Sequence, residues 1–130
     1  MKANTRRDTA PELRVRRLLH GAGLRYRVDY PLPFDRRRRC DIAFTRQHVA
    51  VFIDGCFWHG CPEHYVPPEE HGDYWRAKIA GNRRRDGDTT ARLQAMGWTV
   101  LRFWEHEDPA KVAQLVAAAL RRNSDGQVQR

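Results

Sequence analysis

Apolar side chains recur along this chain with two different spacings. Val15, Leu18, Leu19 and Ala22 fall three or four residues apart, the period of one helix face. Thr9 and Glu12 stand at capping-box spacing before them, Pro11 suits a first helical turn, and Gly21–Gly23 supply a stop. The pattern then changes to period two. Leu24, Tyr26, Val28 and Tyr30 alternate with polar residues, which predicts a half-buried strand. The segment PLPFDRRRR reads as a loop into a second strand, CDIAF. After a turn at TRQ the run HVAVFID is nearly all apolar, as expected of a strand covered on both faces.

Further along, YVPPEEHG has loop composition, and Asp73 to Met96 returns to a helical pattern. Its expected anchors are Trp75, Ile79, Leu93 and Met96, with a weak point near Gly87 and a cap at Gly97. WTVLRFWE is a fourth strand, and Asp108–Pro109 opens a last amphipathic helix through Leu120. Short connections make the first three strands an antiparallel meander, whereas the long helix is a crossover that lets the fourth strand lie parallel to a central one. The expected architecture is one α/β domain over residues 1–123, a mixed sheet flanked by helices, with a frayed tail at 124–130.

Charge narrows the class of partner. Lys and Arg number 24 against 16 Asp and Glu, a formal charge of +8, and arginine supplies 21 of the 24. The planar guanidinium suits phosphate, so a nucleic acid is expected ahead of an anionic membrane surface; a merely solubilising basic surface is the alternative. No apolar run approaches the ~20 residues that span a bilayer, and the N-terminus shows no secretory h-region. Three cysteines, two of them close together beside histidines, favour a reduced, cytoplasmic setting and metal binding over a disulfide framework.

The chemistry concentrates in DGCFWHGCPEH, Asp54 to His64. Cys56, Cys61 and His64 form C-x4-C-x2-H, and zinc needs about four N or S ligands, so a fourth is expected from another segment. His106, just past the fourth strand, suits that place, with His71 and Cys40 behind it. Asp41, following four arginines, suits a Mg²⁺ ligand in phosphodiester hydrolysis or a solvated strand-edge carboxylate. His59 suits proton transfer or is a bystander in the metal cluster. Phe57 and Trp58 suit wedges that unstack a base step, or pack inward under the loop. Glu12 is explained by the capping box alone. Asn82, Arg83, Arg84 and Arg85 suit contacts to a DNA backbone or a plain solvated face.

Five blocks, DTAPE, CDIAF, VFIDGCFWHGCPEH, YWRAKIAGNRRRD and GWTVLRFWEHE, together resemble the very short patch repair (Vsr) endonuclease family over about Arg7 to Glu107. The resemblance implies a PD-(D/E)xK-like nuclease fold with a zinc-braced loop. It also implies a Mg²⁺-dependent enzyme that nicks DNA 5′ to the thymine of T:G mismatches left by 5-methylcytosine deamination; a single short patch needs only a monomer. Such an enzyme works on the bacterial nucleoid beside a cytosine-5 DNA methyltransferase. Position by position, Asp41 matches the metal-binding aspartate, His59 the catalytic histidine and Glu12 its helper. Phe57 and Trp58 match the intercalating aromatics, and Cys56, Cys61 and His64 match zinc ligands.

Three departures accompany the likeness. His106 stands where relatives carry the last zinc cysteine, which changes the site's charge but keeps a good ligand. Cys40 replaces a proline before the metal aspartate. Met1 aligns with a methionine of the wedge, without the arm that precedes it in relatives. Phe52 and Asp54 occupy the positions of the second acid and the lysine of the wider fold, and the Ile53 backbone carbonyl is then expected to complete the Mg²⁺ shell. Two other functions fit the same residues less fully: a non-catalytic zinc-stabilised DNA-binding module, and a restriction-type nuclease acting on matched sites.

Overall fold

The computed structural model describes residues 10–55 and 72–128. Helix α1 (Ala10–Gly21), strands β1 (Arg27–Leu32), β2 (Asp35–Phe44) and β3 (Val49–Asp54), helix α2 (Gly72–Ala95), strand β4 (Thr99–Trp104) and helix α3 (Pro109–Val128) follow in that order. The sheet order is β1-β2-β3-β4, with β1–β2 and β2–β3 antiparallel and β3–β4 parallel. The meander and the crossover strand are therefore as the pattern predicts, in a mixed four-stranded sheet flanked by helices.

The all-apolar β3 earns its central place by serving both faces. Val49 and Val51 belong to a core with Val15 and Leu19 of α1 and Val112, Val116 and Leu120 of α3. Ala50 and Phe52 turn the other way, to a core holding Leu93 of α2, Trp98, Leu32 and Cys40. Helices α1 and α3 thus cover one face and α2 the other. Each fully buried Leu or Val contributes about 1.5–3 kcal/mol through apolar area removed from water.

The helix ends follow from local chemistry. Gly97 has φ of 89°, the Trp98 N–H donates to the Leu93 carbonyl at 3.0 Å, and the Gly97 N–H to that of Gln94 at 3.0 Å. This is a Schellman cap, closed by contact between Trp98 and Leu93 in one core. Asp108 caps α3 through its Oδ1, which accepts from the Ala110 N–H at 3.1 Å, with Pro109 in the first turn where no N–H is needed.

Several boundaries differ from the expected ones. DRRRR is not a free loop: β1 and β2 pair up to Leu32↔Asp35, but the register shifts after Pro31↔Arg39, so Arg36, Arg37 and Arg38 form a bulge within the first half of β2. The first strand starts at Arg27 and extends through Leu32, and its strict alternation fails at Asp29, whose φ of 48° rotates the chain. Leu24 and Tyr26 consequently pack on the α1–α3 side, Tyr30 packs on the α2 side, and Val28 is left 37% exposed. Met96 is no anchor: it lies past the end of α2 and is 48% exposed. Gly87 does not interrupt α2, and α3 continues beyond Leu120 to Val128.

Candidate active site

The β2–β3 ladder is registered from Phe44↔Val49 to Ile42↔Val51 and goes no further. At the next step a side chain takes over: the Asp41 carboxylate accepts the Ile53 N–H at 2.6 Å. On the other edge of β3 the Glu105 N–H donates to the Asp54 carbonyl at 2.9 Å, and the Thr99 N–H to that of His48 at 2.8 Å. Alternate residues of a strand address opposite neighbours, so Ile53 turns both its N–H and its carbonyl towards β2. The fold therefore brings the two expected Mg²⁺ donors, Asp41 and the Ile53 carbonyl, to the same side of one strand end.

Burial pushes the Asp41 carboxyl up to about 7 from 3.8; the Ile53 hydrogen bond opposes this, Glu12 and Asp54 add to it, and Arg102 counters it. Glu12 is only 2% exposed, with its carboxylate 3.6 Å from an Arg16 guanidinium nitrogen. A residue so buried does more than cap a helix. Thr9, the other half of that expected cap, lies outside the described residues.

This donor set fits a hard divalent cation. Such ions take carboxylate and carbonyl oxygens, and a nearby positive charge would relieve a carboxylate crowded by two others in a partly dry site. Among the described residues no three His, Cys, Asp or Glu form a metal-holding cluster. Cys56, Phe57, Trp58, His59, Cys61, His64 and His71 lie outside the described residues. His106 is described: it is exposed, in the turn after β4. Because Asp54 is registered with Trp104, that turn stands beside the point where the chain leaves β3 towards Cys56. Cys40, by contrast, is 1% exposed in the core, and burial pushes its thiol up to about 12, with the Asp41 charge adding to the rise. It packs among Leu32, Phe52, Leu93 and Trp98, and no metal-holding cluster among the described residues includes it.

One element of the site escaped the sequence reading. Arg102 of β4 reaches both Asp54 oxygens, at 3.1 and 3.3 Å, donates to the Thr90 hydroxyl at 2.9 Å and to the Asp86 carbonyl at 3.2 Å, and lies 4.0 Å over the Phe52 ring. It ties α2 to the end of β3. Its signal was an arginine inside an otherwise apolar strand, facing an aspartate at the end of VFID. Of the expected backbone contacts, Arg83, Arg84 and Arg85 are exposed on α2, whereas Asn82 is 9% exposed and accepts from Arg85 at 3.1 Å. Beside them lies an open groove of about 500 Å³ lined by Arg76, Ile79, Ala80, Arg83 and Arg84.

Residues 1–64 match the family described as DNA mismatch endonuclease Vsr. Type II nicking enzyme V.NaeI of Lentzea aerocolonigenes is 46% identical over 110 residues, which cover 83% of this chain and 66% of that protein. Type II nicking enzyme V.NmeDIP of Neisseria meningitidis serogroup C is 40% identical, over 82% of this chain and 72% of that protein. DNA mismatch endonuclease Vsr of Escherichia coli K12 is 39% identical, over 81% of this chain and 66% of that protein. The chain thus spans about two thirds of the length of these relatives and belongs to the Vsr family of DNA endonucleases.

Proposed function

We propose that this protein is a Mg²⁺-dependent endonuclease that nicks duplex DNA 5′ to the thymine of a T:G mismatch. The observation that carries the reading is the Asp41 carboxylate, half-buried on β2 beside the end of β3, fixed by the Ile53 N–H and crowded by Glu12 and Asp54. Asp41 and the Ile53 carbonyl would hold the cation. When bound, that cation supplies Lewis-acid polarisation of the scissile phosphate and charge neutralisation at the leaving oxygen.

The remaining steps belong to the chain. His59 takes the proton of the attacking water, the task that a lysine has elsewhere in this fold, and Glu12 orients it. Asp54 is committed to Arg102, so the lysine position of the wider motif holds an ion pair that fixes the strand end rather than a proton carrier. Phe57 and Trp58 enter the stack beside the mismatch, where unstacking costs least. Cys56, Cys61, His64 and His106 hold a structural zinc that stiffens the segment carrying these three residues. Arg83, Arg84 and Arg85 meet phosphates, with Asn82 aiming Arg85. A monomer suffices for one nick, and the T:G substrate implies a cytosine-5 methyltransferase acting in the same cell.

The test is incision of end-labelled duplexes carrying T:G in varied contexts beside matched controls, with and without Mg²⁺. Nicking confined to the thymine strand of the mismatch is expected. Cleavage of both strands at a matched site would replace this reading with a restriction-type nuclease, and binding without cutting would replace it with a DNA-binding module.

A further inference from the structure

Four consecutive arginines, Arg36 to Arg39, lie on β2 and have no part in the chemistry above. They are not equivalent. Arg38 turns to α2: it donates to Asp88 at 2.7 Å and to the Thr89 hydroxyl at 3.0 Å, and its guanidinium lies 5.6 Å from the Phe34 ring centre. Arg92 of α2 covers the same ring at 5.5 Å. Arg38 and Phe34 therefore latch the β1–β2 turn onto the helix.

Arg36, Arg37 and Arg39 are exposed. The Arg37 side chain is 93% exposed and makes a 3.4 Å contact to Asp35, while Arg39 donates to the Asp29 carbonyl at 2.9 Å and reaches its carboxylate at 3.5 Å with its side chain 48% exposed. Surface pairs of this kind contribute little, about 0–1 kcal/mol, and give way readily to a phosphate.

Position makes this edge relevant. β2 runs antiparallel to β3, so its start lies at the same end of the sheet as Asp54 and the Ile53 carbonyl. The β1–β2 pairing jumps from Pro31↔Arg39 to Leu32↔Asp35, so Arg36, Arg37 and Arg38 form a bulge between paired residues. We propose that Arg36, Arg37 and Arg39 form a phosphate-binding edge on the β1–β2 hairpin that grips the duplex backbone beside the point of incision, while Arg38 only holds the hairpin in place. This rests on the reading of the protein as acting on duplex DNA, but not on mismatch choice or on chemistry.

The experiment measures binding of a fully matched duplex in EDTA across 50 to 200 mM salt, comparing the whole chain with R36Q/R37Q and with R39Q. A control, R121Q/R122Q, removes the same charge from exposed positions on α3. Those positions adjoin Asn123, which bonds Gln47 at the opposite end of the sheet. Each lost phosphate contact lowers the slope of log K against log salt by about 0.9. R36Q/R37Q is expected to lower it by about 1.8, a loss of affinity roughly tenfold greater at 50 mM than at 200 mM, and R39Q by about 0.9. The control should leave the slope unchanged. Equal slopes in R36Q/R37Q and wild type, or an equal drop in the control, would overturn the proposal; so would failure of the wild type to bind duplex. Thermal melts verify that the variants stay folded. If the hairpin slope falls as expected but no T:G duplex is nicked, the edge stands and the mismatch reading fails.

Discussion

Asp41→Asn separates the electrostatic account of the site from the family likeness. Asparagine keeps an oxygen to accept the Ile53 N–H, and removes only the charge. In the folded protein without metal the carboxyl titrates at about 7, against 3.8 when unperturbed. Between these pH values the unfolded chain has lost the proton and the folded chain retains it. The native state is thus penalised progressively as pH rises from about 4 to about 7, and uniformly above. At 1.36 kcal/mol per pH unit the gap corresponds to an upper bound on the order of 4 kcal/mol. Solvent and side chains reorganise around the ionised group, so Asp41→Asn should be more stable than wild type by about 1–4 kcal/mol at pH 8 in EDTA. The two proteins should converge towards pH 4. Urea unfolding across pH 4–9 measures the difference, and Mg²⁺ should raise the midpoint of the wild type alone. A variant no more stable than wild type at pH 8 would refute the idea that uncompensated negative charge is stored there. The same variant should bind duplex and make no incision.

Other expectations concern the surroundings of that carboxylate. Arg102→Met leaves Asp54 buried without its guanidinium and loosens α2, so a loss of about 3–5 kcal/mol is expected in denaturant unfolding; a neutral result would show that the pair is replaceable by packing. Phe57→Ala with Trp58→Ala should reduce the ratio of T:G to matched-duplex binding more than it reduces matched binding itself, and equal losses in a titration would exclude the wedge. His106→Ala should lower zinc content measured by metal analysis and lower the melting temperature, whereas unchanged stoichiometry would place the fourth ligand elsewhere.

The amino-acid pattern alone was enough for the order of elements and for the mixed sheet, because period and length are local properties: HVAVFID must serve two faces, and the long α2 must cross back over the sheet. It was also enough to single out Asp41 and Ile53, which the fold brings together, since CDIAF and VFID are contiguous blocks of the chain. What it misjudged turned on relations between distant residues. DRRRR has loop composition, yet pairing of Asp35 and Arg39 with β1 holds it in the hairpin as a bulge, and partners fifty positions away decide that Arg38 is a latch. Asp29 breaks the alternation of β1 through a backbone angle that hydropathy does not encode. Glu12 looks like a helix cap until the fold buries it near Asp41. Asp54 and Arg102 sit 48 positions apart and become neighbours only when β3 and β4 pair in parallel. Sequence thus determined which groups are available and on which elements. Tertiary structure decided which carboxylates crowd one another, and so the charge that the site stores, because Coulomb energy and desolvation depend on separation in space and on burial.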